Sequence, residues 1–202
     1  MTTRMNSRNS EAEASIGDEW STPPEIIDLV HTFFGCIDTD PASNEVPQKR
    51  IKAKRYFTKA DNGLEHPWTG KVFLNPPYSR RLIVKFTDKL LAELASGRAT
   101  AAILLVNNCA DTAWFKRAAR AAAVICFPQG RIKFLTPEGV MMGSPPRGQA
   151  LLYFGHDPEG FKQAFRHLGL VGRLTKRKTP SRYRKAVQRT LRMPPNTTIV
   201  EG

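Results

Sequence analysis

Lys71-Val72-Phe73-Leu74-Asn75-Pro76-Pro77-Tyr78 decides how this chain folds. The first four residues read as a short buried strand, and the next four stand where that strand ends. In an open α/β sheet this is the usual place for ligand chemistry. Two successive prolines hold the backbone extended, and each removes a donor while keeping its carbonyl. Asn75 adds a side-chain carbonyl and Tyr78 a flat ring. Converging acceptors beside an aromatic platform suit a planar group that bears an exocyclic amine: the acceptors take the amine protons and the ring stacks.

Working outward, the pattern predicts strands alternating with helices. Upstream, Thr22 reads as an N-cap and Pro23 as the first helical turn. Ile26, Ile27, Val30, Phe33 and Phe34 share one helical face, and Gly35 is the stop. Cys36 to Ala42 reads as a short strand ending in an acidic turn, and residues 44–70 show little pattern. Downstream, a helix starts at Ser79, carries Leu82, Ile83, Phe86, Leu90 and Leu94 inward, and stops at Gly97. Ala101 to Val106 is an all-apolar strand of the kind buried on both faces. Asp111 is placed to cap a helix, and Val124 to Phe127 follows as a strand. Residues 130–148 form a long irregular segment. Ala150 to Phe154 is the next strand, and Asp157-Pro158 opens the last helix. This alternation predicts a mainly parallel sheet covered on both faces, with the last two strands antiparallel.

A chain of 202 residues suits about one domain. The expected division is a disordered segment at 1–18, a folded domain at 19–172 and a basic tail at 173–202. No apolar run approaches the ~18 residues of a membrane span. The polar, acidic N-terminal stretch resembles neither a signal nor a transit peptide. Cys36, Cys109 and Cys126 are far apart, as are the four His, so neither a disulfide framework nor a metal site is expected. These features point to the cytoplasm, a reducing compartment. The formal net charge is +13, and Val171 to Gly202 holds six Arg and three Lys against Glu201. Such an excess points to an anionic partner held through phosphates, with steep salt dependence.

Asn-Pro-Pro-Tyr resembles the signature of S-adenosylmethionine-dependent enzymes that methylate planar amines. Five elements in order extend the likeness from Trp20 to Phe154. They are Trp20-Ser-Thr-Pro-Pro, Asp40-Pro41-Ala42-Ser43, Asp61-Asn62-Gly63-Leu64 with Trp68-Thr-Gly70, Asn75-Pro76-Pro77-Tyr78-Ser79, and Gly130-Arg131-Ile132-Lys133-Phe134. Together they resemble the phage-type DNA N-6-adenine methyltransferase (Dam) family.

The resemblance implies a class I, Rossmann-like methyltransferase fold: a mostly parallel sheet, an antiparallel terminal hairpin and helices on both faces. It implies S-adenosylmethionine as cofactor and DNA as partner. Thr22 and Pro23 would pack against the methionine end of the cofactor. Asp40, Pro41, Ala42 and Ser43 would bind its amino acid, and Asp61, Gly63 and Leu64 would lie near its adenine. Ser43-Asn44-Glu45 lacks the glycine-rich turn usual after the first strand, and either Asp61 or Glu45 would hold the ribose. Asn75 Oδ1 and the Pro76 carbonyl would each accept a proton of the adenine amine, with Pro77 shaping the turn and Tyr78 stacking on a flipped base. With no length for a separate recognition domain, DNA contact would fall to Arg131, Lys133, Arg147 and the tail residues Lys176, Arg177 and Lys178. Modification of phage or prophage DNA against restriction is the biological setting the family implies. The alternatives are a methyltransferase acting on cytosine N4, an RNA base or protein glutamine, and a non-catalytic nucleic-acid-binding protein on the same scaffold.

Overall fold

The computed structural model describes residues 20–136, 140–141 and 145–174. The expected disordered segment at 1–18 and the tail candidates Lys176, Arg177 and Lys178 lie outside the described residues. Chain order is α1 (Pro24–Phe34), β1 (Thr39–Asp40), α2 (Glu45–Ile51), β2 (Arg55–Tyr56), a 3-10 turn (Gly63–Glu65), β3 (Gly70–Leu74), α3 (Arg80–Ala95), β4 (Ala99–Asn107), α4 (Ala113–Ala121), β5 (Val124–Pro128), β6 (Gln149–Phe154), α5 (Pro158–Phe165) and β7 (Gly169–Gly172).

The strands form one sheet in the order β2-β1-β3-β4-β6-β5-β7. The first four pair in parallel. β6 runs antiparallel to both β4 and β5, and β7 antiparallel to β5. This is a mixed α/β sheet of the Rossmann-like methyltransferase type, closed at one end by antiparallel strands. Side chains alternate between the two faces, as the strand period of two requires. Val72, Leu74, Leu104 and Leu152 face the core under α3 and α4. Phe73, Ile103, Leu105 and Leu151 face the core under α1 and α5. With apolar layers on both sides, the central strands read as continuous hydrophobic runs.

Three local expectations need correction. Pro23, extended at φ −68°, occupies the N-cap of α1, and Pro24 takes the first helical turn. Thr22 is therefore freed from capping. Thr112, not Asp111, caps α4, its hydroxyl accepting from the Phe115 amide. The unpatterned stretch after Ala42 contains α2 and β2, both too short for periodicity to register. α2 is capped by Asn44, whose side chain accepts from the Val46 amide. β7 gave no signal either, being four residues with glycine at both ends.

The chain leaves β1 toward β2 on one side and then returns to lay β3 on the other. The order therefore reverses between β1 and β3, and ligands of open α/β sheets bind outside the strand ends at such a point. The ends of these two strands are Asp40 and Leu74-Asn75.

Candidate active site

A cavity of about 620 Å³ opens at this switch point. Four segments that are distant in sequence build its wall: residues 20–22, the turn after β1 (Asp40–Asn44), residues 58–64 and the turn after β3 (Asn75–Pro77). Of the residues proposed from sequence, Thr22, Asp40, Pro41, Ala42, Ser43, Gly63, Leu64, Asn75, Pro76 and Pro77 line it. Pro23, Asp61 and Tyr78 stand outside that lining.

At the end of β3, the Asn75 amide is held by three contacts. Its Nδ2 donates to the Trp20 carbonyl at 2.8 Å and to Thr22 Oγ1 at 3.2 Å. A carbonyl only accepts, so these partners fix which way the amide points. Oδ1 is turned the other way, where the Tyr78 hydroxyl donates to it at 3.0 Å. An amide oxygen has two lone pairs, so one remains to accept from a ligand. Burial pushes the Tyr78 phenol above its ordinary value, with the Cys109 thiol adding to the effect. The phenol therefore stays a donor. Besides the stacking expected of its ring, Tyr78 thus orients Asn75 through its hydroxyl.

The segment that carries Trp20 and Thr22 is itself pinned. Ser21 and Leu135 exchange backbone hydrogen bonds of 2.9 and 3.0 Å. Phe134 packs edge-on against Trp20 at 5.5 Å and against Tyr78 at 6.3 Å between ring centroids. The irregular 130–136 stretch thereby buttresses the Asn75 turn. Along it, Ile132 and Phe134 are buried while Arg131 and Lys133 are exposed. Buried Gln149 ties this stretch to the end of β4. Its Oε1 accepts from the Ile132 amide at 2.8 Å, and its Nε2 donates to Asn107 Oδ1 at 3.3 Å and to the Arg147 carbonyl at 2.6 Å. The Arg147 guanidinium reaches Cys109 Sγ at 3.2 Å.

At the end of β1, Asp40 is only 3% exposed. Its Oδ1 accepts from the Ala42 amide at 3.3 Å and its Oδ2 from Gln48 Nε2 at 2.7 Å. Burial outweighs these hydrogen bonds and pushes its carboxyl up to about 6. Asp38, two residues earlier, behaves oppositely. It accepts from the Lys71 amide at 2.8 Å and pairs with Lys54 at 2.7 Å, and these partners outweigh its burial to hold its carboxyl below the usual range. Asp38 staples β1 to β3, whereas Asp40 faces the cavity.

Residues 58–64 form the opposite wall. Asp61 turns away to accept from the Thr58 amide and hydroxyl at 2.8 and 2.7 Å, bonds that lower its carboxyl value. It shapes the turn, and neither Asp61 nor Glu45 lines the cavity. Gly63 makes the close approach: a Cβ there would stand 2.0 Å from the Pro41 carbonyl oxygen. Its own carbonyl accepts from the buried Trp68 indole at 2.8 Å. Lys59, Gln48, Gln149 and the Trp20 carbonyl carried no sequence signal as site groups, because their roles depend on partners from other segments.

Comparison with known proteins agrees with this architecture. The profile of the DNA N-6-adenine-methyltransferase (Dam) family matches residues 9–164. The chain belongs to that family. It is 33% identical over 114 residues to the "DNA N-6-adenine-methyltransferase" of Escherichia phage T1, a match spanning 55% of this chain and 44% of the phage protein. It is 34% identical over 70 residues to "Putative methyltransferase YfdM" of Escherichia coli strain K12, spanning 31% of this chain and 74% of that protein. The chain thus matches under half the length of the phage T1 relative. Family membership implies a methyl donor. Among the described residues no helix is long and apolar enough to cross a membrane, and no cluster of metal-ligating side chains occurs.

Proposed function

We propose that this chain transfers a methyl group from S-adenosylmethionine to the exocyclic N6 of adenine in DNA. The observation that carries the reading is the Asn75 amide, locked by Trp20, Thr22 and Tyr78 in a cavity that Pro76 also lines, with one oxygen lone pair left to accept. Adenine N6 is a poor nucleophile because its lone pair is delocalised into the ring. Asn75 Oδ1 and the Pro76 carbonyl would each accept a hydrogen bond from one amine N–H, which draws the nitrogen toward tetrahedral geometry and localises that lone pair. As the N–C bond forms, the methyl–sulfur bond would break, and the extra N6 proton would leave to solvent. Their contribution is preorganised electrostatics and positioning, without a covalent enzyme intermediate. Tyr78, partly accessible beside Phe134, offers a ring edge or face to a base brought out of the helix.

The cavity fits the cofactor. Its volume of about 620 Å³ falls within the ~300–1,000 Å³ of small-molecule sites. Ile51, Leu64 and Phe73 supply apolar wall, and Asp40 supplies a carboxylate for an ammonium group. When bound, S-adenosylmethionine supplies an electrophilic methyl on a sulfonium. Exposed Arg131, Lys133 and Arg147 are the described candidates for phosphate contact, and Lys176, Arg177 and Lys178 extend that role to the tail. Partners of this kind position DNA without reading sequence.

The test is direct. The full chain is incubated with unmethylated DNA and methyl-deuterated S-adenosylmethionine, and the digested nucleosides are analysed by mass spectrometry. Label in N6-methyldeoxyadenosine is expected. Label in N4-methylcytosine, or transfer only to RNA or to protein glutamine, would replace the substrate. No transfer and no cofactor binding would leave a non-catalytic scaffold.

A further inference from the structure

The turn after β1 is built without glycine, and something else must hold its backbone and carboxylate in place. That work falls to one side chain reaching back from α2. Gln48 Nε2 donates to Asp40 Oδ2 at 2.7 Å and to Ser43 Oγ at 2.9 Å, while its Oε1 accepts from the Ala53 amide at 3.0 Å. A backbone amide only donates, so Oε1 must face Ala53 and Nε2 must face Asp40. A single amide therefore bridges the end of β1, the following turn and the start of the β2 connection. We infer that Gln48 is a positioning residue for cofactor binding, holding the Asp40 carboxylate ready for the cationic amino-acid end of the ligand. The inference rests on reading the cavity as the S-adenosylmethionine site.

The surroundings of Asp40 show why this matters. A buried carboxylate is stable only if paired or well hydrogen-bonded. Among the described residues no Lys, Arg or His forms an ion pair with Asp40. Lys54 pairs with Asp38, and Lys71 Nζ donates to the Phe34 carbonyl. On α2, Glu45, Lys49 and Arg50 are exposed, as is Arg55 on β2. Lys59 is the one other ionisable residue among the described residues lining the cavity, and it forms no ion pair with Asp40. Asp40 thus waits for a cation that the described residues do not provide. Until it arrives, Ser43, the Ala42 amide and Gln48 supply the hydrogen bonds favouring the charged form, and Gln48 holds both the carboxylate and Ser43. Losing the Gln48 bond raises the pH at which Asp40 ionises, and a ligand ammonium then competes with a proton over a wider range.

The experiment titrates S-adenosylhomocysteine into the full chain by calorimetry from pH 5 to 7.5, for wild type, Gln48→Leu and Gln48→Glu. Wild-type affinity is expected to fall below about pH 6, where Asp40 takes a proton. In Gln48→Leu the fall should begin about one pH unit higher, giving roughly tenfold weaker binding at pH 5 that closes toward parity at pH 7.5. Gln48→Glu keeps the shape and the Ala53 contact but sets two carboxylates together, so its fall should also move upward. This variant remains informative if Gln48→Leu does not fold. At saturating cofactor, methyl transfer should retain near-wild-type kcat while the KM for cofactor rises. Superimposable curves, or a loss equal at every pH, would overturn the inference by reducing Gln48 to a spacer. If the wild type itself binds no S-adenosylhomocysteine, the cofactor reading fails instead.

Discussion

The ends of β1 and β3 are neighbours in the sheet, yet they are chemically opposite. β1 ends in a buried carboxylate that has no ion-pair partner among the described residues and is held by Gln48 and the Ala42 amide. β3 ends in neutral carbonyls, with Asn75 fixed by Trp20, Thr22 and Tyr78. A charged acceptor suits a permanent cation. Neutral acceptors suit an uncharged amine, whose N–H groups they hold by hydrogen bonds. The difference teaches that the two halves of one cavity are separable: damage at the β1 end should appear in cofactor binding, damage at the β3 end in the transfer step.

Asn75→Ala makes the sharpest break. Loss of one preorganised polar contact lowers transfer by about 10²–10³, while calorimetry should find cofactor affinity within a few-fold of wild type. Near-normal turnover would remove Asn75 from the chemistry.

Gly63→Ala attacks the junction between the β1 turn and the opposite wall. The added Cβ meets the Pro41 backbone oxygen at 2.0 Å, so one of the two segments must move. Overpacking of this kind costs about 1–3 kcal/mol. Thermal denaturation should show that loss and titration should show weakened cofactor binding. An unchanged melting temperature would mean that the two turns are not in tight contact.

Asp40→Asn separates stability from function. The folded carboxyl, pushed up to about 6 from 3.8, favours the fold when protonated. Its contribution is therefore fully present below about pH 4 and is lost as pH rises through 6. At pH 7 the ionised group costs ~3 kcal/mol, and the asparagine avoids this while its single oxygen serves only one of the two donors, the Ala42 amide and Gln48 Nε2, at ~1 kcal/mol. The ligand-free variant should thus be about 2 kcal/mol more stable at pH 7, with no gain at pH 4, and should bind cofactor poorly. A variant destabilised at both pH values would show that Asp40 is held charged by partners other than those described.

Tyr78→Phe is the mildest change. It removes one neutral donor to Asn75 Oδ1, worth about 0.5–1.5 kcal/mol, while the two Nδ2 contacts remain. A few-fold drop in kcat is expected, with a larger drop in Tyr78→Ala, which also loses packing on Trp20 and Phe134. Equal damage from both substitutions would assign the whole effect to the hydroxyl.

Much of this was legible from residue order. The apolar run before Asn75, the alternation of strands and helices, and the connection between the strands at 124–128 and 149–154, which has no helix among its described residues, are local patterns, and periodicity reads them well. β2, α2 and β7 escaped because two to seven residues are too few for a period to emerge. At the site, the tetrapeptide and the Asp40 turn were readable as candidates because each is contiguous. Which acidic residue faces the cavity was not: Asp38, Asp40 and Asp61 are alike in sequence, and only their partners distinguish them.

By itself, the sequence determined the fold class, the family and the type of chemistry at the end of β3, since each rests on short contiguous motifs and on periods of 2 and 3.6 residues. Tertiary structure alone decided the rest. It turned Asp61 into a turn staple and Asp38 into a strand staple, left Asp40 buried with no ion-pair partner among the described residues, and aimed Asn75 through a carbonyl 55 residues upstream. Hydrogen-bond direction and desolvation are properties of an assembled environment, and no stretch of chain contains them before segments 20–22, 40–48, 58–64, 75–78 and 130–136 meet.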